Sequence, residues 1–166
     1  ENSQRSKTFL NEFIMTISII GILALLSIPK FNVFYDMKLQ SAAKKLISDI
    51  RYTQTVAITT KTDYAIEFNT TQNTYRVYRV SDNSSLLDPF TKLPLEIDFD
   101  THNQYRGIEI QNVDIGGTQI LRFNWKGTPQ TATGQNLTNE GNITLEYQGN
   151  QVTIKITPYT GKINVE

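Results

Sequence analysis

Side chains able to carry chemistry are few in this chain, and their spacing excludes most enzymes. There is no cysteine, hence no disulfide, thiolate metal site or cysteine nucleophile. The single histidine, His102, lies in a polar Asp100-Thr101-His102-Asn103 stretch, which rules out a metal cluster built on imidazoles. A Ser-His-Asp site would have to recruit that residue, and no Gly-x-Ser-x-Gly elbow accompanies it; it reads as a solvated loop side chain. Asp98 and Asp100 alternate at a strand end and could share one side, but carboxylates so close to a loop read as exposed. Asp82, Asn83 and Asp88 could offer oxygens to calcium, yet they lack EF-hand spacing. No Gly-x-x-x-x-Gly-Lys phosphate loop exists. The chain is therefore read as a non-enzyme with no catalytic residue, cofactor or metal. Glu12 is in a different position. It stands inside an apolar run, where an ionised carboxylate is costly and marks function.

That run is TFLNEFIMTISIIGILALLSIPKF, residues 8–31. As a helix from Thr8 to Pro29 it would be about 30 Å long, enough to cross a hydrocarbon core. Arg5 and Lys7 precede it, which by the positive-inside rule places the N-terminus in the cytoplasm and residues after Lys30 outside. No Ala-x-Ala site follows, as a secretory signal would require. Pro29 cannot donate to the carbonyl four residues back, so a bend is expected there. Gly21 permits close helix approach. Asn11, Thr16 and Ser18 are polar positions expected to bond within the helix.

The segment resembles the N-terminus of type IV pilins and type II secretion pseudopilins, whose usual form is Gly-Phe-Thr-Leu-x-Glu followed by an apolar stretch ending near Ile-Pro. Glu12, Ile19-Ile20-Gly21-Ile22-Leu23-Ala24 and Pro29 fall in that register without a gap. The resemblance implies that residues 1–7 (ENSQRSK) are a leader, with the scissile bond between Lys7 and Thr8 and Thr8 as the candidate N-methylated residue. Lys7 stands where Gly is usual, and Thr8 where Phe is usual; a retained leader is the alternative. In an assembled filament Glu12 would need a cation, which the free amino group of a neighbouring subunit would supply. A buried pair of that kind sets register more than it adds stability.

The remaining residues are enough for one domain of ordinary size. Lys plus Arg and Asp plus Glu are both 16, so there is no electrostatic argument for nucleic acid. Beyond Lys30 the period stays helical to about Thr60, with Leu39, Ala42, Ala43, Leu46, Ile50 and Ala57 on one apolar face. Lys38, Lys44, Lys45, Asp49 and Arg51 read as a solvated face. From residue 61 the period becomes two. Strands are expected at 64–68, 75–80, 95–99, 108–113, 120–125, 143–147, 152–157 and 162–165. Residues 81–94 read as a surface loop and 127–141 as a long exposed loop. Tyr75-Arg76-Val77-Tyr78-Arg79 is the one segment mixing cations with aromatics, and on a strand its members do not share one face.

The fold class is thus α+β: a long N-terminal helix, membrane-spanning in its first half and amphipathic in its second, packed on an antiparallel β-sheet domain. The divisions are 1–7, 8–29, 30–60 and 61–166. The order of elements, together with Phe123-Asn124-Trp125-Lys126-Gly127-Thr128-Pro129 and Thr160-Gly161-Lys162-Ile163, is most similar to the H-type (GspH/FimT-like) minor pseudopilins. Of that group's helix motif, Leu46, Asp49, Ile50, Thr53 and Ala57 are in place. The disulfide loop common in major pilins is absent. The resemblance implies a structural subunit of a type II secretion pseudopilus or type IV pilus, anchored in a bacterial inner membrane with its second half in the periplasm. Its partners would be other pilin or pseudopilin subunits, the prepilin peptidase/N-methyltransferase and the inner-membrane assembly platform. The alternative is an anchored binding module, an adhesin or DNA-uptake receptor, that does not polymerise.

Overall fold

A computed structural model describes residues 2–26 and 31–166, with side chains described at 10–22 and from 37 onward. Two helices open the chain, α1 (Asn2–Leu26) and α2 (Phe31–Thr60). The expected bend at Pro29 lies outside the described residues. The helix starts earlier than residue 8, because nothing in Asn2-Ser3-Gln4-Arg5-Ser6-Lys7 is a Gly or Pro that would stop it. The chain forms two compact units, Glu1–Val33 and Phe34–Glu166.

Within Phe34–Glu166, α2 buries the expected stripe: Leu39, Ala42, Ala43, Leu46, Ile50 and Ala57 are all nearly inaccessible. The helix ends at Thr60 in a Schellman turn. Lys61 takes the left-handed conformation (φ 51°) and the Thr62 amide donates to the Ala57 carbonyl at 3.2 Å.

Nine strands follow: β1 (Tyr64–Asn69), β2 (Thr74–Arg79), β3 (Glu96–Asp98), β4 (Glu109–Asp114), β5 (Ile120–Phe123), β6 (Pro129–Gln130), β7 (Gly141–Tyr147), β8 (Asn150–Ile156) and β9 (Ile163–Val165). They form two antiparallel sheets, β3-β2-β1-β5-β6 and β4-β7-β8-β9. The α2 stripe and the inner faces of both sheets share one core. Two-residue alternation is clean in β7 and β8, which a Gln148-Gly149 turn joins with φ 53° and 82°, the primed geometry that matches strand twist. In β4 a bulge at Gln111 breaks the alternation, so Ile110 and Val113 both point inward.

Two loop expectations are corrected. Residues 127–141 are not a long exposed loop. Pro129 and Gln130 pair with the edge of β5, and Leu137 is buried in the core with its amide on the Pro129 carbonyl. Pro129 and Leu137 lie too far apart to form a period, so the sequence hid them. Residues 81–94 do lie at the surface but are ordered by bridges from Ser85 to Tyr78 and from Leu87 to Pro94.

Candidate functional site

Among the described side chains of α1, the apolar residues Leu10, Phe13, Ile14, Met15, Ile17, Ile19, Ile20 and Ile22 are each 53–65 % exposed. They occupy every side of the helix. A helix that is apolar all round is one that something else covers. Glu12 is exposed among them. Thr16 and Ser18 donate to the carbonyls of Glu12 and Ile14, 2.8 and 2.7 Å away, so both hydroxyls are satisfied within the helix. Among the described residues, a Cβ on Gly21 would meet nothing within 4 Å. Lys7 and Thr8 lie in the helical backbone of α1, and their side chains are outside the described set. Among the described residues, no helix is long and apolar enough to cross a membrane.

In the β-domain three polar side chains sequence reasoning undervalued hold the architecture together. Asp49, read as solvated, is buried (5 % exposed). Its carboxylate accepts from Lys45 Nζ at 2.6 and 2.9 Å and from the Tyr75 hydroxyl of β2 at 2.6 Å. Burial raises its pKa above the ordinary value, and the bonds from Lys45 and Tyr75 oppose that shift. Tyr75, wholly enclosed, has its own pKa pushed well up, chiefly by burial and then by the Asp49 charge. Lys45 also lies 3.8 Å from Asp88 in the 81–94 loop. This explains the helix motif: Asp49 follows Leu46 by three on the inward side, and its partner comes from the sheet.

Gln54 of α2 donates through Nε2 to the Gly127 carbonyl (2.8 Å) and the Thr160 carbonyl (3.1 Å). It thereby brings together the two sequence motifs noted above, which are over thirty positions apart. Gly161 at φ 67° is needed there, since a Cβ would stand 2.7 Å from Gln54 Nε2. Asn73, left-handed at φ 57°, does the same between the sheets. Its Nδ2 donates to the Ile108 carbonyl and to Asp100, and its Oδ1 accepts the Ile110 amide, tying the β1–β2 turn to the start of β4. A left-handed Asn closing a turn was the only available signal for it.

The residues weighed for chemistry are engaged locally. His102 stacks on Tyr105 at 4.6 Å and accepts the Gln104 amide. Asp98 caps a turn through the amides of Asp100 and Thr101 and the Thr101 hydroxyl, bonds that lower its pKa. Asp82 binds Ser84 and Arg79, and Asp88 accepts the amides of Phe90 and Thr91. Among the described residues no group of three or more His, Cys, Asp or Glu could hold a metal. The arginines of the Tyr-Arg segment are taken up, Arg76 by Glu67 at 2.6 Å and Arg79 by Asp82 at 3.2 Å.

No family profile and no curated protein matches the sequence. Solved structures do. The type IV minor pilin FimU of Pseudomonas aeruginosa superposes with a TM-score of 0.54 at 17 % identity over 79 % of this chain and 90 % of that one. The minor pseudopilin EpsH from the type 2 secretion system of Vibrio cholerae gives 0.56 at 10 % identity, over 78 % of this chain and 96 % of that one. This chain has the fold of the type IV minor pilins and minor pseudopilins.

Proposed function

We propose that this protein is a structural subunit, a minor pilin or minor pseudopilin, that is anchored in a bacterial inner membrane and then assembled into a type IV pilus or type II secretion pseudopilus through its N-terminal helix. The observation that carries the reading is α1 itself, apolar on every side and exposed, with one carboxylate at Glu12. Lipid covers such a helix before assembly and the helices of neighbouring subunits cover it afterwards. The span at 8–29, with Gly21 and Pro29, serves both states. A peptidase/N-methyltransferase acting between Lys7 and Thr8 would expose the Thr8 amino group, and the Glu12 of a neighbour would bind it. The inner-membrane assembly platform and the other pilin-type subunits are the remaining partners. Nothing in a mere anchor requires Glu12, which weighs against a binding module that does not polymerise.

The test is crosslinking of the full chain to other filament subunits in its native membrane. Glu12→Ala should leave insertion intact, since losing a charge eases it, but should impair incorporation by leaving a buried amino group unpaired. Glu12→Gln should be milder, as it keeps an acceptor. Equal crosslinking of wild type and Glu12→Ala would reject the register role. N-terminal sequencing of the same material reports processing; a chain beginning before Thr8 would move the counter-ion to Lys7 or Arg5.

A further inference from the structure

We infer that the outward face of α2 is a docking surface for a carboxylate-bearing strip on a different pilin-fold subunit. This inference rests on the assembly reading above. Opposite the buried stripe, Met37, Gln40, Lys44, Ser48, Arg51 and Thr55 are exposed at intervals of three and four, one line along the helix. Between residues 37 and 60 the helix carries a single acid, Asp49, and that one is buried and consumed by Lys45 and Tyr75. The outward line is therefore cationic without relief. Lys44 and Arg51, seven residues and about 10 Å apart, enter no ion pair among the described residues.

The strands are treated oppositely. Each cation they carry is matched: Arg76 with Glu67, Arg79 with Asp82, Arg122 with Asp63, and Lys155 with Glu166. On a chain of zero net charge, the outward helix face keeps Lys44 and Arg51 outside any ion pair among the described residues, as the turns and loops do with Lys61, Lys92, Arg106, Lys126 and Lys162. Between them stands Ser48, small and polar, so no apolar wedge separates the two cations. A second copy of this chain is a poor complement. Of its carboxylates without a cation, Asp98 and Asp114 cap turns, Asp100 is bound by Asn73, and Glu146 is bound by Gln111 and Gln151. Among the described side chains of Phe34–Glu166, Glu96 and Glu109 remain, on the edge strands of different sheets. The fitting partner is a neighbour with carboxylates about one helical heptad apart. Exposed ion pairs select partner and register more than they add affinity, which suits subunits already held together by their N-terminal helices.

The experiment uses the full chain in membranes bearing the assembled system. A zero-length carbodiimide, which joins an amine only to a carboxylate it touches, should link Lys44 to an Asp or Glu in the folded domain of another pilin-type subunit, identified by mass spectrometry. Lys44→Glu with Arg51→Glu should reduce capture of that subunit about tenfold, as two favourable pairs become repulsive, and reversing the linked carboxylate to Lys should restore it. A background-free second probe is Ser48→Cys, because the chain has no cysteine; its crosslink should fall in parallel. If charge reversal perturbs folding, Lys44→Gln with Arg51→Gln should still weaken the crosslink made from Ser48→Cys. Links only to copies of this chain, protection of Lys44 by anionic lipid, or capture unaffected by reversal would each overturn the inference. Failure of the assembly reading looks different, because there Glu12→Ala crosslinks as well as wild type. A protein that responds to Glu12→Ala and ignores the α2 reversal keeps its assembly role and loses this surface.

Discussion

Tyr75→Phe isolates the contact that seats α2 on the five-stranded sheet. The ring stays, together with its neighbours Phe68 and Phe99 at 5.9 Å each, so no cavity opens. What disappears is a 2.6 Å donor to a carboxylate that is 5 % exposed. A hydrogen bond to a charged group contributes about 1.5–3 kcal/mol, and water cannot easily replace this one. The Phe34–Glu166 unit of the variant should therefore unfold in urea with a stability lower by that amount at pH 7. The pH dependence carries a sign that can be worked out. Burial holds the Asp49 pKa above 3.8, so the folded state binds its proton more tightly than the unfolded chain. The group's contribution is most favourable below 3.8 and is lost as pH rises through the folded value. Removing the Tyr75 donor raises that value further. The deficit of Tyr75→Phe should thus be largest at neutral pH and shrink on acidification toward about 1 kcal/mol, the size of a bond to a neutral acceptor. Asp82, Asp88 and Asp98, whose pKa values are lowered by hydrogen bonds in their turns, lose stability on acidification, but they do so in both proteins and cancel in the difference. A variant within about 0.5 kcal/mol of wild type at pH 7, or a deficit that grows as pH falls, would refute the assigned role of Asp49.

Two further outcomes test the same architecture. Leu46→Ala, at a site with no exposure, should cost about 2–5 kcal/mol in urea unfolding, while Gln40→Ala on the outward side should stay within about 0.5 kcal/mol. Gln54→Ala should cost about 2 kcal/mol, since its amide serves two carbonyls, and Gln54→Glu should cost more by setting a carboxylate against both; a Glu variant as stable as wild type would show that Gln54 is not the donor.

Apolar periodicity made most of this fold legible. The helical stripe from Leu39 to Ala57 and the alternating hairpin of β7 and β8 are where burial follows period, and both stand in the structure as read. Legibility fails where one side chain does something its neighbours do not. Asp49 sits among lysines and was grouped with them, yet its angular position on α2 falls beside Leu46 and Ile50, and the Lys45 ammonium with the Tyr75 hydroxyl makes that tolerable. Leu137 lies in a polar tract that carries no period to reveal it. The bulge at Gln111 puts Ile110 and Val113 on one face without any Gly or Pro to announce it. At the candidate site, Glu12 draws notice from sequence because an acid in an apolar run is improbable on solvation grounds alone, and its role is a proposal. The partners of Gln54 and Asn73 could not be read, because a polar side chain's partner is set by tertiary placement; Asn73 offered only its place in a turn.

Those polar anchors also explain why the outward surfaces matter. Asp49, Gln54 and Asn73 add little as isolated bonds, since each pairing replaces one that water would have made. Each, however, makes any other seating of α2 or of the sheets leave a buried group unsatisfied, which is far more costly. The domain thereby presents α2 in one orientation, with Lys44 and Arg51 in line and outside any ion pair among the described residues. The chain pairs its strand cations while leaving Lys44 and Arg51 without an ion pair among the described residues, and it exposes apolar side chains around α1; the proposed assembly would have other molecules complete both helical surfaces. Under the proposed assembly, apolar cover for α1 would supply the adhesion and carboxylates facing α2 would supply the choice of neighbour. Strong salt should therefore disturb which subunit lies beside this one before it disturbs whether the subunit is held at all.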